Sequence, residues 1–175
     1  MMVAIDFTGS NGPCTDARSL HYSDKSGVRL NPYQTSISMV GTVLQEYDSD
    51  KKFPVYGFGA RWPLADGTLS SVSHCFNIPF SSEKRIEVTG VSGILDAYAK
   101  SVDKLQFSGP TLFAPIIRES KEIAKSYNCN QSNQKYGILL IITDGVINDF
   151  EETKSAIIAA SQYPLSIVIV GVGNN

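Results

Sequence analysis

The chain has 175 residues, of which 42% are hydrophobic and 18% charged, with a formal charge of −2 and a pI near 5.6. That length fits one domain with a full core, and so mild an acidic balance offers no electrostatic footprint for nucleic acid or anionic lipid. The longest apolar runs, 138–142 and 165–172, are far below the ~20 residues of a membrane helix and are expected to be buried strands.

In chain order, the patterns predict a strand at 2–7, a helix at about 32–47, a strand at 53–59 and a short strand at 72–78. Helices at about 91–105 and 113–127, a strand at 136–143, a helix at about 150–161 and a strand at 164–171 complete the set. No charged segment followed by an apolar one precedes the first strand, so no secretory signal is expected. Tyr33, Ile37, Val40, Leu44 and Tyr47 recur at steps of four and three, the mark of one helix face packed on a sheet, and Asn31-Pro32 supplies its cap and first turn. Phe113, Ile116, Ile117, Ala124 and Tyr127 repeat the pattern. Asp149, Glu151 and Glu152 place negative charge at the start of the next helix, and Pro164 ends it.

The strands at 2–7, 136–143 and 164–171 are apolar on both faces, as central parallel strands between helices are. The expected fold is therefore α/β: a doubly wound, mostly parallel sheet with helices on both faces and one short antiparallel edge strand. Ligands bind such sheets beyond the carboxyl ends of the strands, where strand order reverses. Two strands end there in an aspartate, Asp6 and Asp144.

Around those aspartates the residue types suit a small hard cation. Asp6-Phe7-Thr8-Gly9-Ser10 offers a carboxylate and two hydroxyls at alternate positions, and Gly109-Pro110-Thr111 is a turn able to present a third hydroxyl just before a helix. Mg²⁺ and Mn²⁺ take about six oxygens in near-octahedral geometry, at ~2.0–2.1 Å for Mg²⁺. With only two anionic ligands the metal stays electrophilic and can accept an outside carboxylate. The plainer reading makes Asp6 and Asp144 polar strand ends and Thr8, Ser10 and Thr111 turn or cap residues. Five such residues in this order and context favour the metal site.

Cys14, Cys75 and Cys129 are odd in number, widely spaced and far from metal-ligand spacing, and His74-Cys75 would face opposite sides of a strand. Free thiols in a reducing, intracellular setting are expected, where the Asn130-Gln131-Ser132 sequon carries no weight. Lys51-Lys52 and Lys84-Arg85 are isolated basic pairs, expected to be solvated. Asp48 and Asp50 read as a surface turn after a helix.

Asp6-x-Thr8-x-Ser10, the later Thr111 and Thr143-Asp144-Gly145 resemble the metal-ion-dependent adhesion site of von Willebrand factor A domains. Most of the chain, beyond that motif, resembles the A domain of copines. The likeness rests on Val3 to Gly12, Ser19-Leu20-His21-Tyr22, Tyr47-Asp48-Ser49-Asp50-Lys51, Gly57-Phe58-Gly59, Val72-Ser73-His74, Gly109-Pro110-Thr111, Ile141 to Val146 and Pro164-Leu165-Ser166-Ile167. The resemblance implies a cytoplasmic, non-enzymatic domain that recruits target proteins through Mg²⁺ or Mn²⁺ held by Asp6, Thr8, Ser10, Thr111 and Asp144. It implies a parent protein whose two C2 domains, not seen here, bind phospholipid when calcium rises. It also implies that the family's last helix and strand, after Gly171-Val172-Gly173, are missing, so that 165–170 leaves an apolar edge. The copine-like domain of plant RING-finger ubiquitin ligases is the alternative within the fold, with similar features at Ser161 to Pro164.

An enzyme of another class, a Mg²⁺-dependent phosphohydrolase using Asp6 as nucleophile, needs a second aspartate two residues on as general acid. Thr8 stands there and cannot donate and reclaim a proton near neutral pH. Thr8 to Gly12 lacks the first glycine of a nucleophile elbow, and Gly57-Phe58-Gly59-Ala60-Arg61-Trp62 has Trp where a dinucleotide fingerprint needs Gly. His21 and His74 have no placed nucleophile, and His74 is expected to be an ordinary strand residue. The loop from Asn11 to Asn31 would rim the site.

Overall fold

The structure, a computed structural model, describes residues 1–24, 29–80 and 86–173; the Lys84-Arg85 pair lies outside them. The central strand β1 (Met2–Asp6) is buried at all five positions, between β2 (Lys52–Phe58) and β7 (Gly137–Thr143), both parallel to it. On the far side of β7 runs β8 (Leu165–Gly171), also parallel. Three strands expected to be central thus include one at the edge: β8 is only partly buried, and its outer side pairs with no strand among the described residues.

Two short strands, not one, share the antiparallel edge at β2. There β4 (Phe76–Asn77) pairs with Tyr56 and Gly57, and β5 (Glu87–Thr89) pairs with Lys52 to Pro54. The strand expected over 72–78 is therefore cut to two residues. Ser73 spends its backbone bonds on Gly59 and Ala60 instead. A separate small sheet joins β3 (Ala60–Arg61) to β6 (Gln106–Phe107).

Alternation along β1 divides the core in two. Val3, Ile5 and Phe7 enter one layer with Tyr33 and Ile37 of α1 (Pro32–Gln45) and Ile94, Ala97 and Tyr98 of α2 (Gly90–Val102). Met2 and Ala4 enter the other, against Ile116 and Ile117 of α3 (Ala114–Ser126) and Ala156 and Ala160 of α4 (Phe150–Ala160). This is the doubly wound α/β arrangement expected. Asn31 caps α1 with a reciprocal pair of bonds, its side chain to the Gln34 N–H and the Gln34 side chain to the Asn31 N–H, worth about 1 kcal/mol at such a site. Tyr47, expected on the buried face, lies beyond the helix end and is 83% exposed.

Candidate metal centre

Because β1 and β7 are parallel neighbours, with Ile5 opposite Ile142, their carboxyl ends bring Asp6 and Asp144 to one rim of the sheet. From β1 the chain winds outward to β2 on one side, and from β7 to β8 on the other, so this rim is the switch point. Thr8 follows the strand, and a single 3-10 turn, Gly9–Asn11, swings Ser10 beside it. Gly12, at φ 74°, turns the chain away again, in a conformation that costs glycine little.

All five expected side chains meet there. Thr8 Oγ1 lies 2.6 Å from Asp6 Oδ1, 3.0 Å from Ser10 Oγ and 3.3 Å from Thr111 Oγ1, and Ser10 Oγ lies 2.9 Å from Asp144 Oδ1. Neighbouring ligands of an octahedral Mg²⁺ stand roughly 2.9 Å apart, given metal–oxygen distances of about 2.0–2.1 Å. The donor set and its spacing therefore fit the ion. Asp6 and Thr8 are buried, Asp144 is half-buried and Ser10 is exposed, so the group is rooted in the core and open on one side. Gly145 borders the cluster: a Cβ there would sit 3.4 Å from Thr111 Oγ1 and 3.9 Å from Ser10 Oγ, in ordinary contact with both. Among the described residues no cluster of three or more His, Cys, Asp or Glu offers a rival site.

Burial raises the pKa of Asp6, against the lowering effect of hydrogen bonds from Thr143 and Thr8, and the charge of Asp144 raises it further. Burial raises Asp144 too, opposed by bonds from Ser10 and Asn11. Two carboxylates whose charged forms are disfavoured by their surroundings gain from a nearby cation.

Thr143 belongs to the motif, but its supporting role, like those of Asn148 and Asp149, is not written there. Thr143 Oγ1 donates to Asp6 Oδ2 at 2.5 Å and accepts from the Gly145 N–H at 3.2 Å. Thr111 is fastened twice to Asn148, its N–H to Asn148 Oδ1 and its carbonyl to the Asn148 N–H, both at 2.8 Å. Asp149 stands at the start of α4, as expected, and its carboxylate also reaches sideways to accept from the N–H groups of Phe113 and Ala114 at the start of α3. Between these fixed points Val146 is held in solvent at 87% exposure. The rim thus includes the 144–149 loop as well as the loop from Asn11.

His21 lies directly beneath. Fully buried, it stacks on Tyr33 at 4.0 Å and Phe7 at 5.0 Å, with Nε2 donating to the Asp6 carbonyl at 2.8 Å and Nδ1 accepting from Tyr98 at 2.8 Å. The carbonyl cannot donate, which fixes the tautomer. Tyr98 in turn accepts from the Asn31 side chain at 3.0 Å. His74, by contrast, precedes β4 in a bend and is not a strand residue, and the opposite-face argument for His74-Cys75 falls with it. Cys14, Cys75 and Cys129 are all free thiols, as expected.

The copine family model matches residues 19–175. The chain is 54% identical over 172 residues to Protein BONZAI 1 and 55% identical over 172 residues to Protein BONZAI 2, both of Arabidopsis thaliana, covering 98% of its length. It is 46% identical over 174 residues, 99% of its length, to Copine-A of Dictyostelium discoideum. The chain belongs to the copine family. It spans 28% of the length of each of these relatives, and none of the three is named as an enzyme. The family match begins at residue 19, after Asp6, Thr8 and Ser10, whereas the alignments to these relatives cover 98–99% of the chain. No helix among the described residues is long and apolar enough to cross a membrane.

Proposed function

We propose that this copine domain binds Mg²⁺ or Mn²⁺ at Asp6, Thr8, Ser10, Thr111 and Asp144, and that the metal takes an Asp or Glu side chain of a partner protein. One observation carries the reading. With both carboxylates ionised, the four contacts Asp6–Thr8, Thr8–Ser10, Ser10–Asp144 and Thr111–Thr8 must share three hydroxyl hydrogens, so one pair of oxygens meets without a hydrogen between them. A cation among those oxygens turns that repulsion into coordination. Two negative ligands only balance its charge, which leaves it able to attract a third carboxylate.

Asp6 argues against the phosphohydrolase reading. It is 0% exposed, so a substrate's phosphorus has no open line of approach to its oxygens, whereas a small cation seated among those oxygens needs none. The wider role we propose, supported by the membership in the copine family, is that of a cytoplasmic protein, carried to membranes by C2 domains when calcium rises, that uses this domain to hold target proteins.

Calorimetric titration with Mn²⁺ tests the proposal. The chain should bind one ion, and Asp144→Ala should abolish binding with the circular dichroism spectrum unchanged, because Asp144 is at a half-exposed strand end. Equal affinity in the folded variant would remove Asp144 from the site. Partners captured by the domain should be released by EDTA, and retention in EDTA would place recognition on another surface.

A further inference from the structure

Asn11 is buried at the rim, 2% exposed, and both its amide nitrogen and its amide oxygen are hydrogen-bonded. Nδ2 donates to the Thr8 carbonyl at 3.2 Å and to Asp144 Oδ1 at 3.1 Å, and Oδ1 accepts from the Tyr33 hydroxyl at 2.6 Å. Two acceptors facing Nδ2 and a hydroxyl facing Oδ1 leave one sense for the amide. Tyr33 is itself immobile, 0% exposed in the first turn of α1 and stacked on His21. Asp144, by contrast, sits at the start of a loop. Its Oδ1 takes both of its side-chain bonds, from Ser10 and Asn11, and its Oδ2 makes no hydrogen bond among the described residues.

We propose that Tyr33 and Asn11 are positioning residues of the metal centre, acting in series: the buried tyrosine fixes the asparagine amide, and the amide holds the Asp144 carboxylate, through Oδ1, against the oxygen cluster that would receive the cation. The inference rests on the metal-binding reading above. Groups that orient a metal ligand typically carry ~10–100-fold in metal affinity. Without Asn11 the carboxylate keeps one side-chain bond, from the exposed Ser10, and without the tyrosine hydroxyl the amide loses the bond that anchors its Oδ1 to the core.

The test is Mn²⁺ titration of the 175-residue chain and its Tyr33→Phe, Asn11→Ala and double variants, with the Mn²⁺ electron paramagnetic resonance spectrum as a second readout. Tyr33→Phe keeps the ring and its stacking, so the fold is retained even if Asn11→Ala does not fold. Tyr33→Phe should weaken binding by about tenfold and broaden the spectrum, and the double variant should bind no more weakly than Asn11→Ala, since both act through one path. A folded Tyr33→Phe with wild-type affinity and spectrum would overturn the positioning role while leaving the metal site standing. Independent, additive losses would overturn the series arrangement. A wild-type chain that fails to bind Mn²⁺ would overturn the metal reading and this inference together.

Discussion

A single hydrogen bond joins the His21 ring to the backbone of Asp6, and it ties the histidine's protonation to the fold. Burial pushes the His21 pKa down from 6.5 to about 3, with the bond to the Asp6 carbonyl opposing the shift. The folded chain therefore keeps His21 neutral, whereas the unfolded chain takes up a proton near 6.5. Stability from this group is complete above that value and is lost as pH falls toward the folded value, reaching about 2 kcal/mol of loss by pH 5. Asp6 and Asp144 act in the opposite sense: their folded values are raised, so their contribution is present at low pH and lost as pH rises through those values. Subtracting a His21→Gln profile cancels the carboxylates and isolates the histidine. Urea midpoints in EDTA at pH 7.5 and pH 5 should fall further for the native chain than for the variant; parallel profiles would remove His21 as the cause.

Among the elements, α3 depends on a residue of the following helix's approach. Asp149 accepts from Phe113 N–H at 3.0 Å, Ala114 N–H at 2.9 Å and Thr153 Oγ1 at 2.9 Å, and so couples the starts of α3 and α4. Asp149→Ala is expected to cost about 2 kcal/mol, the upper end for loss of a cap, because two helices lose a partner at once. A thermal melt within experimental error of the native chain would show that water replaces the carboxylate. The long elements were readable in advance because their burial is written locally. The apolar runs gave β1, β7 and β8, Asn31-Pro32 gave the start of α1, and Asp6-Thr8-Ser10 gave half of the site. The two- and three-residue strands β3, β5 and β6 were invisible, since so short a pairing is decided by the partner that the fold supplies and not by its own pattern. The same holds for Tyr33, Asn11 and His21. Tyr33 was read as a packing residue, and its ring is packed, but nothing along the chain says that its hydroxyl meets an amide 22 residues earlier.

For the molecule as a whole, the sheet is closed at one end and open at the other. β4 and β5 cover β2, while β8 turns outward an edge that pairs with no strand among the described residues, with Ile169 54% exposed. Such an edge is a template for another strand. This 175-residue chain should self-associate as concentration rises, and Ile169→Lys should suppress it; light scattering that reports a strict monomer throughout would mean the edge is already protected. The oxygen cluster at the carboxyl ends of β1 and β7 has a different bearing on the molecule, through its spacing before any ion arrives. Its oxygens stand 2.6–3.3 Å apart, and the Thr111 and Asp144 loops are pinned together through Asn148. Loading then asks hydroxyl hydrogens to swing aside and waters to leave, while the main chain stays where it is. Mg²⁺ should therefore perturb amide resonances near 6–12, 108–112 and 143–149 and spare α2 and β8. The domain would act as a fixed socket, whose occupancy follows the ion without a change of shape to slow it.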